Sequence, residues 1–323
     1  MRAVSGALLA SLAGLISINT EREYRADDNE TMVVVRQLES IQNDLWSVEY
    51  PVPKVLTFVP RDTTVAPGAT HFTWRIWDVV GMADFVVNYG KDLPRVDALV
   101  SETTQKIQPI GDAFAYTHED LRMAAQGQIQ LDSTKARAAK DAIDRKLDSV
   151  LSLGHVPTGI TGFANNANVP RLTVTNGAWL TTNIANPDKL LADLNQMEAT
   201  IITQSYDNHA PDTLILPLRH YALIATLPRS ANSDTTVLDF FLKNSRNIKR
   251  VESWYRLATS GPLSAPMAIM YKNDPMVLRA IVPVAFEQLT PEVRNLEWLV
   301  NCLARVGGTV VYKPLAMLYG DGI

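Results

Sequence analysis

The segment Asp132–Gly154 reads DSTKARAAKDAIDRKLDSVLSLG and contains the clearest helical pattern of the chain. Its apolar side chains recur at three- and four-residue intervals, which predicts a helix of about five turns with one buried face. Asp132 or Ser133 can cap the first turn, and Gly154 is suited to end the helix. The apolar stripe consists of Ala136, Ala139, Ile143, Leu147 and Val150. This pattern is typical of a long element at the centre of a domain.

The chain after this helix contains further helices and then many strands. Asn186 and Pro187 predict the start of a second helix, since they supply a cap and a first-turn proline. The run DTLILPLRHYALIATL predicts a buried strand, Thr213–Leu216, that turns at Pro217 into a short helix, and DTTVLDFFLKN predicts another helix. After Lys249 the pattern is almost wholly β. Helices in the middle and strands near both ends predict an α+β fold.

A strand-like stretch precedes the long helix. In THFTWRIWDVVGMADFVVNYG, residues 70–90, large apolar side chains occupy alternate positions, which predicts a long β-hairpin whose aromatic residues need a packing partner. Residues 20–72 have many charges and prolines without a sustained period, and four prolines between Pro51 and Pro67 favour extended backbone. We therefore expect a strap across a surface before the hairpin.

The first residues, MRAVSGALLASLAGLISIN, allow two interpretations. One cation followed by an apolar run resembles a secretory signal, although no clear cleavage site precedes the charged residues. Val4, Leu8, Leu12 and Leu15 also lie at near-helical spacing, so the run can be an amphipathic arm that docks on another surface. At about 16 residues it is shorter than a bilayer span needs. We favour the arm.

Composition excludes several classes of protein. The chain has 323 residues, of which 46% are hydrophobic and 20% charged, and this is typical of a folded protein with a large core. Its formal charge of -4 gives no global attraction to nucleic acid. Cys302 is the only cysteine, which excludes a disulfide framework and a cysteine-rich zinc site.

No motif in the sequence predicts catalysis. None of the five histidines has a second histidine or a cysteine at zinc-ligand spacing. His118, Glu119 and Asp120 are consecutive, so their side chains would diverge, and a polar helix start explains them better than a metal or acid/base site. The sequence also lacks a nucleophile elbow and a glycine-rich phosphate loop. We predict no enzyme activity, no catalytic residue, no cofactor and no metal.

A basic stretch, KNSRNIKRVESWYRL, offers a local site for nucleic acid. Its cations lie near Trp254 and Tyr255, and arginines beside aromatic rings can track a phosphate backbone. The alternative is a solvated loop entering a strand whose aromatic residues belong to the core, and we favour that alternative. The cations are Lys243, Arg246, Lys249, Arg250 and Arg256.

The order of these segments resembles the major capsid proteins of tailed bacteriophages, whose Hong Kong 97 type fold is shared by encapsulin shells. KIQPIGDAFAYTHEDLRMAAQGQIQLDSTKARAAKDAIDRKLDSVLSLG is similar to the family's strand and spine helix, and DTLILPLRHYALIA resembles its axial-domain strand and helix. The chain from VESWYRL to the closing G-G, V-x-x-P and Y-x-D-G pattern looks like one capsid subgroup. The resemblance covers roughly residues 60–323.

The resemblance implies a division of the chain. It would have an N-terminal arm at 1–60, an extended β-hairpin loop at 61–100 and a peripheral domain with the spine helix at 101–158. An axial domain would follow at 159–280, and residues 281–323 would return as C-terminal strands to the peripheral and axial sheets. No cross-linking role is carried over to Lys91, Asn88 or Glu102. At this chain length we expect a retained arm and a separate scaffolding protein.

As such a capsid protein, the chain would self-assemble into the icosahedral head shell around a double-stranded DNA genome. Its partners would be copies of itself in pentamers and hexamers, scaffolding and portal proteins, cement proteins, and packaged DNA through non-specific contact, with no membrane. It would assemble in the bacterial cytoplasm and reside in the virion. We expect contacts between subunits at Leu8, Leu12, Leu15, Trp46, Trp74, Trp77, Phe85 and Tyr89.

Two glycines near the end raise a smaller question. Gly307 and Gly308 could form a phosphate-binding turn or a tight hairpin between LEWLVNCLARV and TVVYKPLAML. The capsid resemblance favours the hairpin, with glycine supplying a positive φ.

Two other functions stay open from the sequence. An encapsulin-like nanocompartment would use the same fold around an enzyme cargo. A secreted hydrolase would require the N-terminal run to be a true signal peptide.

Overall fold

The structure, a computed structural model, describes residues 50–81, 96–120, 122, 131–230 and 234–323. Its helices are α1 Val55–Phe58, α2 Leu131–Leu153, α3 Pro187–Gln204, α4 Leu218–Thr226 and α5 Val237–Asn244. Its strands are β1 Arg61–Asp62, β2 His71–Val80, β3 Asp97–Lys106, β4 Gln108–Thr117, β5 Arg171–Thr173, β6 Thr213–Leu216, β7 Arg250–Ser253, β8 Met267–Tyr271, β9 Leu278–Ile281, β10 Val284–Gln288, β11 Glu292–Arg294, β12 Glu297–Val306, β13 Gly308–Val311 and β14 Met317–Asp321.

The long helix α2 follows the predicted pattern except at its start. Leu131 is already helical, so Asp132 and Ser133 lie inside the helix and neither is the cap expected from the sequence. Its stripe from Ala139 to Val150 is buried, while Ala136 is half-buried. Gly154 ends the helix with φ 72°, and its N–H donates to the carbonyl of Val150. A side chain at Gly154 would run into the backbone of residues 160–162, so glycine is required there by both conformation and space.

One face of α2 packs against a long antiparallel ribbon. Strands β4 and β12 pair over ten residues, from Gln108 opposite Val306 to Thr117 opposite Glu297, and β10 and β11 pair with the other edge of β12. Buried Cys302 and Ala304 from β12 share one hydrophobic core with α2. Cys302 is thus the small buried apolar residue that the sequence favours.

A five-stranded sheet forms the second part of the fold, in the order β5-β14-β8-β6-β7. Strand β6 is parallel to β7 and antiparallel to β8, and β14 is antiparallel to β8. Helices α3, α4 and α5 cover one face, and their apolar stripes form a separate core with Leu214, Met270 and Leu318. Fully buried Asp193 accepts hydrogen bonds from Trp179 Nε1 and from the loop before it, which fixes that loop to α3.

The strap before the hairpin is tied to the body by polar contacts. Strand β1 pairs in parallel with β9, in a sheet of order β1-β9-β13. Asp148 on α2 accepts hydrogen bonds from the backbone N–H groups of Lys54 and Val55 at 3.0 and 3.1 Å, and Arg256 donates to it at 2.9 Å. These three donors around one buried carboxylate fix the strap to the body at residues 54 and 55.

The predicted hairpin at Gly307 and Gly308 is wrong. Strand β12 pairs with β4, whereas β13 pairs with β9, so the two glycines carry the chain from one sheet to another. Gly308 has φ 80°, as expected, but a side chain there would meet the carbonyl of Thr161 and the side chain of Ile160. Glycine is needed because the backbone passes close to another loop as it changes sheets.

Candidate inter-subunit surfaces

The hairpin of β2 and β3 is largely exposed. These strands pair over ten residues, from His71 opposite Lys106 to Val80 opposite Asp97, and no third strand joins them within the described ranges. An isolated two-stranded hairpin is only marginally stable in water. Its exposed apolar side chains are Ile76, Trp77, Val79, Val96, Leu99 and Val100. Such a concentration of exposed apolar surface marks a site of protein association.

The base of the hairpin is fixed to the body. Phe72 stacks on Trp74, and Trp74 meets the edge of Tyr312 with ring centroids 5.9 Å apart. The Nε2 of buried Gln105 donates to the carbonyl of Gly307, and the Thr161 hydroxyl lies 3.0 Å from Gln105 Oε1. The hairpin therefore leaves the body from a rigid base, and its apolar residues beyond Trp74 face solvent.

The predicted contact residues fall into two groups. Trp77 is 67% exposed and is available to a neighbour, whereas Trp74 is partly buried against the subunit's own core. The others lie outside the described residues and are Leu8, Leu12, Leu15, Trp46, Phe85 and Tyr89. The roles of all eight residues in assembly stay predictions.

The turn between β11 and β12 presents a second exposed apolar site. Val293 and Leu296 are largely exposed there, next to a cleft of about 150 Å³ that is also lined by His118 and Trp298. The sequence analysis did not single out this turn. Apolar side chains alternating with charges in PEVRNLEW were the available signal. His118, whose ring lies 6.1 Å from Trp298, starts a helical turn as expected.

A third apolar site lies at one end of the five-stranded sheet. A cleft of about 310 Å³ is lined by Leu180, Pro217, Leu218, Arg219, His220, Tyr255, Ala258 and Pro266. Leu218 and Tyr255 are exposed, and Leu263 on the adjoining loop projects fully into solvent with φ 54°. Burial, with Arg219 nearby, lowers the pKa of His220 despite a hydrogen bond with the backbone of Ile323. Sequence reasoning missed this site because its residues come from three distant segments.

Several residues of the basic stretch are used within the subunit itself. Trp254 is 1% exposed and packs between Phe58 and Phe163, so it belongs to the core as favoured from the sequence. Arg256 binds buried Asp148, and Arg250 pairs with Glu252 at 3.0 Å. An aromatic and arginine track for nucleic acid along this stretch is therefore wrong.

The titratable groups in the interior are structural. The hydroxyls of Tyr271 and Tyr319 donate to the carbonyls of Phe58 and Phe163, and burial raises the pKa of both well above its ordinary value. Within the described ranges no three His, Cys, Asp or Glu side chains come together in a metal-binding group. No helix in the same ranges is long and apolar enough to cross a membrane.

Comparisons with known proteins agree with this geometry. A family model described as major capsid protein matches residues 81–323. The fold is similar to the capsid of Myoviridae phage XM1, with TM-score 0.77 and 16% identity over 91% of this chain and 100% of that chain. A structure from Mycobacterium phage Bobi gives TM-score 0.60 and 18% identity over 90% and 98% of the two chains.

A virus-like particle from Pyrococcus furiosus is also similar, with TM-score 0.50 and 17% identity over 82% of this chain and 91% of that chain. None of the curated proteins matches the sequence. The nanocompartment and hydrolase alternatives are not favoured, because the matching family model is that of major capsid proteins and covers most of the chain. The chain belongs to the major capsid protein family, whose members form shells, and it has the Hong Kong 97 type fold.

Proposed function

We propose that copies of this chain close into the icosahedral head shell of a tailed bacteriophage and enclose its double-stranded DNA. The observation that best supports this proposal is the β2–β3 hairpin, whose apolar residues remain exposed within the described part of the chain. Each contact between subunits would be modest, but a closed lattice lets several contacts act together. The chain would act as a structural protein without catalytic activity.

We propose the following division of the chain into an arm, an extended loop, a peripheral domain and an axial domain. Residues 1–60 form the arm and strap. The extended loop, expected at 61–100, is the β2–β3 hairpin, and its end moves to residue 106 because β3 pairs with β2 as far as Lys106. The ribbon and α2 form the peripheral domain, and the five-stranded sheet with its helices forms the axial domain within 159–280, completed by C-terminal strands. Helices α3–α5 form a core of their own with one face of the five-stranded sheet, which supports an axial domain, whereas the other face of the sheet shares the core of α2.

We propose that assembly takes place in the host cytoplasm with pentamers and hexamers as building units. Scaffolding, portal and cement proteins are the expected partners. The negative formal charge of -4 fits a shell that holds DNA without global attraction to it.

Negative-stain electron microscopy after size-exclusion chromatography tests the proposal directly. Hollow particles, or rings of five and six subunits, are the expected result, and co-expression with a scaffolding protein would follow if they are absent. Persistently monomeric protein under both conditions would contradict a shell function. A variant lacking residues 1–45 should fold but fail to close stable shells, and normal shells from it would contradict a role for the arm.

A further inference from the structure

One edge of the five-stranded sheet gathers four cations from three loops. Strands β6, β7 and β14 begin at this edge, and β8 ends there. The pairing shows this, because Thr213 lies opposite Arg250 and Tyr271, and Met317 also lies opposite Tyr271. The loops next to these strand ends contribute Arg246, Lys249, Lys272 and Lys313, which we call the basic edge.

Backbone hydrogen bonds hold these loops against one another. The Asp212 carbonyl accepts from the N–H of Lys249 at 2.9 Å, and Asp212 Oδ1 accepts from the N–H of Asn273 at 2.8 Å. The N–H of Lys272 donates to the carbonyl of Ala316 at 3.1 Å, which joins the loop after β8 to the loop before β14. The four cations therefore belong to one continuous rim, although they are up to 67 residues apart in sequence.

The side chains of the basic edge are left without ion pairs. Lys249, Lys313 and Arg246 are exposed, Lys272 is half-buried, and none of the four forms an ion pair within the described part of the chain. Carboxylates also lie near this edge, and most of them accept hydrogen bonds or form an ion pair within the chain. Glu252 binds Arg250, Glu198 accepts from Ser245 and Asn247, Asp212 accepts from Thr213 and Asn273, and Asp274 accepts from the N–H of Met276. Asp207 is exposed at the same edge.

Two cations of the basic edge lie close enough to His209 to affect its pKa. Burial lowers its pKa, and the charges of Lys313 and Lys272 lower it further, while Asp274 opposes them. Two cations from different loops thus act on one imidazole. Exposed cations without ion pairs attract anions at short range, although carboxylates lie nearby and the whole chain is acidic.

The dimensions of the edge suit a phosphate backbone. From β14 to β7 the edge crosses three strand spacings of about 4.8 Å each, or about 14 Å. One strand of B-DNA presents a phosphate about every 3.4 Å along its axis, so about four phosphates lie within this length. A row of separate, unpaired ammonium and guanidinium groups suits sequence-independent contact with such a backbone.

We propose that the basic edge binds the phosphate backbone of double-stranded DNA. The inference rests on the proposed function only in that the head supplies the DNA. It differs from the rejected track through Trp254, since that indole and Arg256 are committed to the core.

The test measures binding of a short mixed-sequence duplex to the full-length subunit by fluorescence anisotropy between 50 and 200 mM salt. The test variant is Lys249→Gln/Lys272→Gln/Lys313→Gln. The matched control is Arg137→Gln/Lys140→Gln/Lys146→Gln, which removes the same charge from exposed positions on α2. The test variant should bind at least tenfold more weakly at 50 mM salt, and the slope of log affinity against log salt should fall by about 2.7.

Three results would overturn the inference: no binding by the unmodified subunit at 50 mM salt, equal loss in the two variants, or unchanged binding in the test variant. A parallel measurement with labelled polyglutamate tests for an acidic protein partner. If the test variant loses polyglutamate binding but keeps DNA binding, the inference is also overturned. Lysine acetylation of the unmodified protein gives a readout that does not depend on a variant folding. DNA should slow acetylation severalfold at Lys249, Lys272 and Lys313 but not at Lys140 and Lys146, and equal rates at all five would count against the edge.

Electron microscopy of the same preparations separates this inference from the proposed function. If the test variant forms normal shells but binds DNA weakly, both stand. If the unmodified protein binds DNA through the basic edge but never forms shells, the shell function fails and the binding surface stands.

Discussion

Replacing Arg256 by methionine should destabilise the subunit by about 3 kcal/mol. One oxygen of Asp148 accepts from the Arg256 guanidinium at 2.9 Å, and the other accepts from the backbone N–H groups of Lys54 and Val55. The Arg256 side chain is 18% exposed and that of Asp148 is 4% exposed, so the substitution leaves a buried carboxylate without its cation. Such losses cost about 3–5 kcal/mol, and the remaining N–H donors place this one at the lower end.

Urea unfolding followed by tryptophan fluorescence measures this cost, because Trp254 lies in the adjoining core. The matched control is Arg250→Met, which removes the same charge from an exposed pair with Glu252 and should cost about 0.5 kcal/mol or less. Adding Asp148→Asn to Arg256→Met should restore about 1–2 kcal/mol, because a neutral amide still accepts from the strap and is less costly to bury.

Two outcomes would refute the reasoning. A loss below about 1 kcal/mol in Arg256→Met would mean that Asp148 is stabilised well enough without the guanidinium. A double variant that is no more stable than Arg256→Met would mean that the lost energy came from packing of the arginine side chain, since neutralising the carboxylate would then bring no gain.

Three further predictions concern other parts of the subunit. Trp77→Ser should leave the free energy of unfolding within about 0.5 kcal/mol of the parent, as for most exposed positions, but should reduce shell yield in electron micrographs; full shell yield would contradict a contact role. Gly308→Ala should cost more in urea unfolding than Gly159→Ala, because both glycines have positive φ but only Gly308 lacks room for a side chain, and equal costs would show that conformation alone matters. Burial lowers the pKa of His220 and His209, so below about pH 6.5 the unfolded chain binds more protons and stability should fall between pH 7.5 and 5.5. His220→Gln should reduce that fall, and an unchanged pH dependence would assign it to other groups.

Much of the fold is predictable because local patterns determine it. The buried stripe of α2, the start of α3 after Asn186 and the turn from β6 into α4 at Pro217 all appear where the sequence places them. In each case the residues that specify the element lie within it or at its ends. Periodicity, caps and proline act over a few residues, so a single sequence contains the information.

Strand pairing was predictable only in part. The hairpin expected at Gly307 and Gly308 assumed that consecutive strands pair, but β12 pairs with β4, far earlier in the chain. A glycine pair with positive φ has the same sequence signature in a hairpin and in a crossing between sheets. The difference lies in the carbonyl of Thr161, which approaches Gly308 from a distant loop. No local pattern contains that contact.

Which aromatic residues are exposed was also not predictable from local sequence. Trp77 and Trp254 both lie in strand-like aromatic stretches, yet Trp254 is enclosed by Phe58 and Phe163 while Trp77 extends into solvent. The sequence marks both as residues that need a partner but cannot say whether the partner is in the same chain. For a shell protein this distinction has a physical consequence. The groups satisfied within the chain, such as Arg256 on Asp148, make the free subunit stable.

Groups left unsatisfied within the described chain, such as the apolar residues of the hairpin, would supply the free energy of assembly in the proposed function. A subunit whose hairpin packed on its own body would be more stable alone and would have less to gain from a neighbour. The fixed base at Gln105 and Tyr312 holds the exposed strands in position, which lowers the entropy lost when a neighbour binds. Loosening that base should therefore weaken assembly more than it weakens folding. The effect would be indirect, because the residues of the base are less exposed than Trp77.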